Sequence, residues 1–143
     1  MIYVDVIVPL PLKGTFTYKV PNSLVDKTEV GSRIIIQFGK KKFYTGLVYR
    51  IYEKETVDTD IKEIVSLLDD QPIVLPLQFQ FWEWISSYYM CTFGEVYKAA
   101  LPSALKLESE TLVYLNEDYE ADEKLTPNEE KVFYALSATK PLR

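Results

Sequence analysis

What most constrains this chain is a change of period along it. Residues 2–52 fall into short alternating stretches cut by Pro and Gly, whereas from Pro76 the apolar side chains recur at helical spacing. Ile2, Val4, Val6 and Val8 alternate with Tyr3, Asp5 and Ile7, the pattern of a half-buried strand, which Pro9 and Pro11 end. Beyond the Lys13-Gly14 turn, Thr15 to Val20 is rich in β-branched and aromatic residues and stops at Pro21-Asn22, so a second strand is predicted. Arg33 to Phe38 puts Ile34, Ile36 and Phe38 on one face, and Phe43 to Tyr52 follows, which makes Gly39-Lys40-Lys41-Lys42 the turn of a hairpin. Gly46, inside the later strand, predicts a bulge or a close backbone approach. Strands this short and closely spaced predict a small bent sheet or partly closed barrel, a mainly β member of the α+β class.

From Pro76, suited to the first helical position, a helix of about four turns is expected. Leu77, Phe81, Trp84, Ile85 and Tyr88 form its apolar stripe. Phe79, Trp82 and Tyr89 widen it beyond what one small sheet needs, which implies a second packing partner. Gly94 and Pro102 bound a short segment after it. Residues 107–124 read as a strand-like stretch followed by an acidic, poorly hydrophobic run at 116–124, the composition of a solvated linker. Thr126-Pro127-Asn128-Glu129 is a capping box that starts another helix, with Val132, Phe133 and Leu136 on one side. One helix cannot bury that face alone, so the expected division is a domain at 1–106, a connection at 107–124 and the start of a second domain at 125–143.

Charge divides along the same line. Residues 1–106 carry 12 basic and 12 acidic side chains and are neutral, while 107–143 carry 4 and 9, so the net charge of −5 belongs to the tail. A neutral domain can bind nucleic acid at a local site but lacks the electrostatic footprint of a protein that coats a duplex. The single cysteine, Cys91, cannot form an internal disulfide and reads as a small buried hydrophobe, which fits a reducing compartment. The first residues lack the basic cluster of a secretory signal, and no apolar run approaches the roughly 20 residues that span a bilayer, so a cytoplasmic protein without a membrane partner is expected.

The chemistry missing from the sequence is as informative. There is no histidine, which removes triad catalysis and the usual zinc and iron ligands, and one cysteine cannot build a thiolate zinc site. The five glycines form neither a phosphate loop nor a dinucleotide fingerprint. Acid pairs such as Asp69-Asp70 and Glu53 with Glu55 lie in charged or turn-like segments and read as solvated surface. No catalytic site, metal or cofactor is expected in this chain.

Several motifs in order now point one way: Val8-Pro9-Leu10-Pro11-Leu12, Thr15-Phe16-Thr17-Tyr18 with Pro21, Gly31-Ser32-Arg33, Phe38-Gly39-Lys40 and Gly46-Leu47-Val48. Ile61-Lys62, Leu68-Asp69, Pro72, Tyr88-Tyr89, Gly94 and Ala100-Leu101-Pro102 continue them. Together they resemble the amino-terminal domain of the primosomal protein N′ (PriA-type) family of bacterial replication-restart helicases. The resemblance implies a domain that binds the 3′ end of the nascent leading strand at a stalled fork, followed by a winged-helix domain that starts near Thr126. It places the ATP site and the zinc module in later parts of such proteins, so helicase activity, ATP with magnesium, and zinc would belong to a parent chain. The partners it implies are single-stranded or forked DNA with a free 3′ end and the remaining helicase domains. Through the parent, it adds single-stranded-DNA-binding protein and primosome proteins. The location it implies is the cytoplasm, on the nucleoid at replication forks.

Carried over position by position, the family's pocket for the terminal nucleotide falls on Phe16, Thr17, Tyr18, Gly39 and Lys62, with Lys40 a candidate phosphate contact. Aromatic rings offer stacking faces, a glycine admits the backbone to a sugar or phosphate, and a lysine supplies a counter-charge. Read without the resemblance, Phe16 and Tyr18 at i, i+2 are core residues, Gly39 is a turn, and the lysines are solvated surface. Thr17 departs from the pattern, since well-known members carry Asp there, a carboxylate that accepts hydrogen bonds from the terminal base. The competing function is a protein-docking module that uses Phe79, Trp82 and Tyr89 on the helix.

Overall fold

The computed structural model describes residues 1–54, 60–109 and 125–138, in two units, Met1–Ser109 and Glu110–Arg143. The first is an α+β unit. Strands β1 (Ile2–Ile7), β2 (Phe16–Lys19), β3 (Arg33–Phe38), β4 (Lys42–Glu53) and β5 (Ser66–Leu67) form one antiparallel sheet in the order β2-β1-β4-β3-β5. Residues 62–67 touch both ends of it. Lys19 N donates to the Lys62 carbonyl and Ile64 N to the Lys19 carbonyl, at 2.9 and 3.0 Å, while Val65 N donates to the Ile35 carbonyl at 2.8 Å. One stretch of chain thus borders β2 and β3, so the sheet is bent as the short strands predict.

β1 is not half-buried as its alternation suggested. Val4 and Val6 face the inside of the curl with Tyr18, Ile34, Ile36, Val48 and Ile64. On the other face, Ile7 joins Leu47, Val74, Phe79, Trp82, Val96 and Tyr97. Flanked by β2 and β4 and covered on both faces, an inner strand needs apolar residues in both registers, and Tyr3 and Ile7 are fully buried. At Gly46 the close neighbours are side chains rather than another backbone, since a Cβ there would stand 2.3 Å from Val6 Cγ1. The bulge lies elsewhere: Arg50 opposes Asp5 and Val48 opposes Val6, which leaves Tyr49 as the extra residue of β4.

Helix α1 (Pro76–Tyr89) begins with Pro at its first turn and with Gln78 Oε1 accepting from Leu75 N at 2.7 Å, and ends at Met90 with φ 53°. Its buried face corrects the sequence reading. Leu77, Phe81, Trp84 and Tyr88 are 74, 58, 54 and 66% exposed, whereas Phe79 and Trp82, the expected widening of the stripe, are the buried pair. Apolar residues lie all round this helix, so period alone does not choose a face. Phe79 packs edge-on against Tyr49 at 5.5 Å and Trp82 lies over Tyr97 at 6.3 Å, and those partners make the choice. The segment after it is helical too. In α2 (Phe93–Ala100), Thr92 Oγ1 accepts from Glu95 N and Glu95 Oε2 accepts from Thr92 N, a capping box visible in the sequence but not used there.

Arg33 ties these layers together. Its Nε donates to Asp69 Oδ2 at 2.9 Å, its Nη1 to the Leu105 carbonyl at 3.0 Å, and its backbone N to Asp69 Oδ2 at 3.0 Å. In the second unit, α3 (Pro127–Ala138) starts at the predicted box, where Thr126 N donates to Glu129 Oε2 at 2.7 Å. Leu136 is buried there, and Val132 and Phe133 are exposed. The acidic run at 116–124 lies outside the described residues. No described helix is long and apolar enough to cross a membrane.

Candidate functional site

The five residues Phe16, Thr17, Tyr18, Gly39 and Lys62 would mean little if scattered, but all five line one cleft. Phe16, Thr17 and Tyr18 on β2, Gln37, Phe38 and Gly39 at the end of β3, and Asp60, Ile61 and Lys62 line an open cleft of about 280 Å³. The curl of the sheet makes this possible, since it brings the edge strand β2 opposite the β3–β4 turn. Lys62 Nζ donates to the Gly39 carbonyl and closes one side of the cleft. Gly39 has φ +67°, a conformation in which an L side chain is strained, so the turn that presents this carbonyl favours glycine.

The aromatic floor is half structural. Phe16 is half-buried and meets Phe38 edge-on at 4.9 Å, with Tyr44 beyond. Tyr18 belongs to the core, and its hydroxyl donates to the Gln37 carbonyl at 3.2 Å. Burial pushes its phenol above the ordinary range, so it stands here as a donor. Tyr18 is therefore a strut holding β2 to β3, and Phe16 the ring closer to the cleft. Lys40 sits in the exposed turn and is not part of the lining; its carbonyl accepts from Gln37 Nε2 at 2.7 Å.

Thr17 points to the opposite face of β2 from Phe16 and Tyr18. Its Oγ1 donates to Asp5 Oδ1 at 2.9 Å, with the Tyr52 hydroxyl 3.5 Å from Oγ1 and 3.4 Å from the same carboxylate oxygen. Thr17 and Asp5 are direct cross-strand partners. The backbone adds a second feature. Lys19 turns both its N–H and its C=O outward to residues 62–64, so two residues earlier the polar groups of Thr17 point outward as well. Among the described residues, no backbone hydrogen bond to them is seen.

A family model described as "3′DNA-binding domain (3′BD)" of PriA matches residues 5–102, and a "Winged helix domain" model matches 110–143. The chain belongs to the PriA 3′ DNA-binding domain family. Among similar proteins is a replication restart protein PriA from Buchnera aphidicola (subsp. Acyrthosiphon pisum), 33% identical over 106 residues, which are 73% of this chain and 14% of the relative. The proteins of that name from Haemophilus influenzae and Bacillus subtilis are each 31% identical, over 72 and 77% of this chain and again 14% of the relative. The chain thus spans about one-seventh of the length of these PriA relatives.

For a PriA domain, the sequence reading missed Gln37, Phe38, Asp60 and Ile61 in the lining, and Asp5 and Tyr52 beside Thr17. Adjacency to Gly39 and Lys62 could have found the first four. Nothing in the sequence announces the other two, because they reach Thr17 through strand register. The expected docking face is also corrected: Phe79 and Trp82 are buried in the unit and cannot present themselves to a partner. The exposed rings are instead Phe81, Trp84 and Tyr88, stacked in a row at 6.0 and 5.1 Å, and Tyr89 at the end of the row.

Proposed function

We propose that the cleft holds the 3′-terminal nucleotide of a DNA strand, and that in a full-length PriA protein this captures the nascent leading strand at a stalled fork. One observation carries the reading: residues far apart in sequence converge on a space of about 280 Å³, bounded by the Lys62 bond to Gly39, which fits a terminal nucleotide rather than a run of them. Phe16 offers a ring to the base or sugar, the outward-turned N–H and C=O of Thr17 offer a donor and an acceptor, and the Lys62 ammonium offers a charge to a phosphate. The described residues include no group of acids and cysteines placed to hold a metal. Helicase action, ATP use, zinc, and contacts with single-stranded-DNA-binding and primosome proteins are assigned to the rest of such a parent protein.

A pocket for a chain end should reject a blocked end. Oligonucleotides with a free 3′-hydroxyl are expected to bind better than the same strands with a 3′-phosphate, and equal anisotropy titrations with the two would sink the proposal. Lys62→Ala should weaken binding to the free end about tenfold or more, the loss of one charge-assisted contact worth about 1.5 kcal/mol or more. A neutral domain touching one or two phosphates should also show a log–log salt slope near −1, from ~0.7 per phosphate on single strands. A slope steeper than about −4 would instead mean that Lys40, Lys41 and Lys42 form a phosphate track.

A further inference from the structure

The inner side of α1 is used within its own unit. Phe79 and Trp82 pack against Tyr49 and Tyr97, and Glu83 accepts from the Tyr49 hydroxyl, so positions 79, 82 and 83 face inward. On the outer side Leu77, Phe81, Trp84 and Tyr88 succeed one another at intervals of four, three and four residues. That is the seam spacing of two helices that pack knobs into holes, and all four residues are more than half exposed. Tyr89 and Met90 extend the face. Met90 stands in the left-handed region, φ 53°, where helix ends ordinarily carry Gly or Asn, and it is 92% exposed. Beside the seam lies an apolar groove of about 410 Å³ between α1 and α2, lined by Phe81, Ile85, Tyr89, Val96, Ala99 and Ala100.

We propose that this face pairs with α1 of a second copy of the chain. The seam spacing calls for a helix as the occupant, and the flanking positions choose among helices. In such pairs the residues beside the seam set partner choice through charge. Here they are Gln78, Gln80, Ile85 and Ser87, so a partner selected by charge finds nothing to pair with, while an identical copy meets no like charge. A two-fold pair is also self-complementary, because each copy brings a protruding row and a groove beside it. Leu77, Phe81, Trp84, Tyr88, Tyr89 and Met90 expose on the order of 800 Å² in each copy, from roughly 150–250 Å² for a whole aromatic side chain, and a standard-size interface buries about 800 Å² per partner. The 14 residues of α1 are too few to pair as free peptides, but the helix is already folded against the sheet, so pairing carries no cost of forming it. Among the described residues, this face and the cleft lined by Phe16, Gly39 and Lys62 share none, so the inference stands apart from end binding.

Sedimentation equilibrium of the whole chain reads the outcome. Between about 1 and about 200 μM the wild type is expected to pass from one chain mass to two, the micromolar end of what such an area gives. Trp84→Glu should weaken pairing at least about a hundredfold and so remain a single chain throughout, since each pair loses two central rings and gains two apposed charges. Trp84→Phe, which keeps an apolar ring in the seam, should still pair within about tenfold of the wild type. Leu77→Glu, at the other end of the seam and 74% exposed, should weaken pairing at least about tenfold, and it keeps the test decisive if circular dichroism shows Trp84→Glu to be unfolded. The exposed apolar side of α3 supplies the control: Phe133→Gln should pair like the wild type. A wild type that stays at one chain mass at about 200 μM overturns the proposal, whether the face is then empty or taken by another protein. A folded Trp84→Glu or Leu77→Glu that pairs like the wild type also overturns it, as does loss of pairing in Phe133→Gln alone, which would move the contact to α3.

Discussion

Gly31→Ala should cost the first unit about 3 kcal/mol or more, a large share of the ~5–15 kcal/mol that holds a domain folded. Gly31 has φ +93°, where an L side chain is strained by about 1–3 kcal/mol. A Cβ placed there would lie 1.9 Å from the Val74 carbonyl oxygen and 3.2 Å from Pro72 Cβ. The obstructing atoms are backbone and ring, so no side chain can swing aside. The same residue joins two layers, since its N–H donates to the Val48 carbonyl at 2.8 Å and its carbonyl accepts from Ile73 and Val74 at 3.1 and 3.3 Å. Relief of the overlap would pull residues 72–74, and with them the start of α1, off the sheet. Urea unfolding followed by circular dichroism measures this directly; a midpoint shift worth less than about 1 kcal/mol would mean the 72–74 segment yields easily.

Asp69→Asn should be the second large loss, about 2–4 kcal/mol, because it leaves the half-buried Arg33 guanidinium facing a neutral amide. The side chains of Arg33 and Asp69 are only 15 and 9% exposed, and the pair holds β3 to the 62–75 connection and to the Leu105 carbonyl. Breaking it removes one partner of a charged network while the other stays in place, which is the costly direction. It also makes stability pH-dependent. Hydrogen bonds from the Arg33 side chain hold the Asp69 carboxyl below its ordinary range, so its contribution is complete above the unfolded value near 4 and is lost as pH falls through the lower folded value. Melting temperatures taken between about pH 5 and pH 2 should fall for the wild type and fall less steeply for Asp69→Asn. Parallel curves for the two proteins would show that the pair contributes nothing.

Much of this was legible along the chain because it depends on local rules. Alternation with β-branched and aromatic residues marked β1 to β4, the Gly39 turn joined β3 to β4, Pro76 started α1, and the Thr126 box started α3 within a residue of where it lies. The ordered motifs identified the family, and the residues it singles out, Phe16, Thr17, Tyr18, Gly39 and Lys62, line one cleft. The helix α2 was also legible through the Thr92 and Glu95 spacing, and only the weight given to Gly94 and Pro102 concealed it.

Other features could not be read locally. The side of α1 that is buried follows from Tyr49 on β4 and Tyr97 on α2, and an all-round apolar helix carries no record of them. The division of Phe16 from Tyr18, one ring near the cleft and one strut in the core, follows from how far the sheet curls toward the β3 turn. The partnership of Thr17 with Asp5 and Tyr52 spans 12 and 35 residues of sequence and arises from register across β2, β1 and β4. Sequence by itself determined the elements, the turns and the family, since propensity, capping and periodicity act between near neighbours. Only the tertiary structure decided which residues share the cleft and that Asp5 holds the Thr17 hydroxyl, because a cross-strand hydrogen bond exists only once the strands are paired.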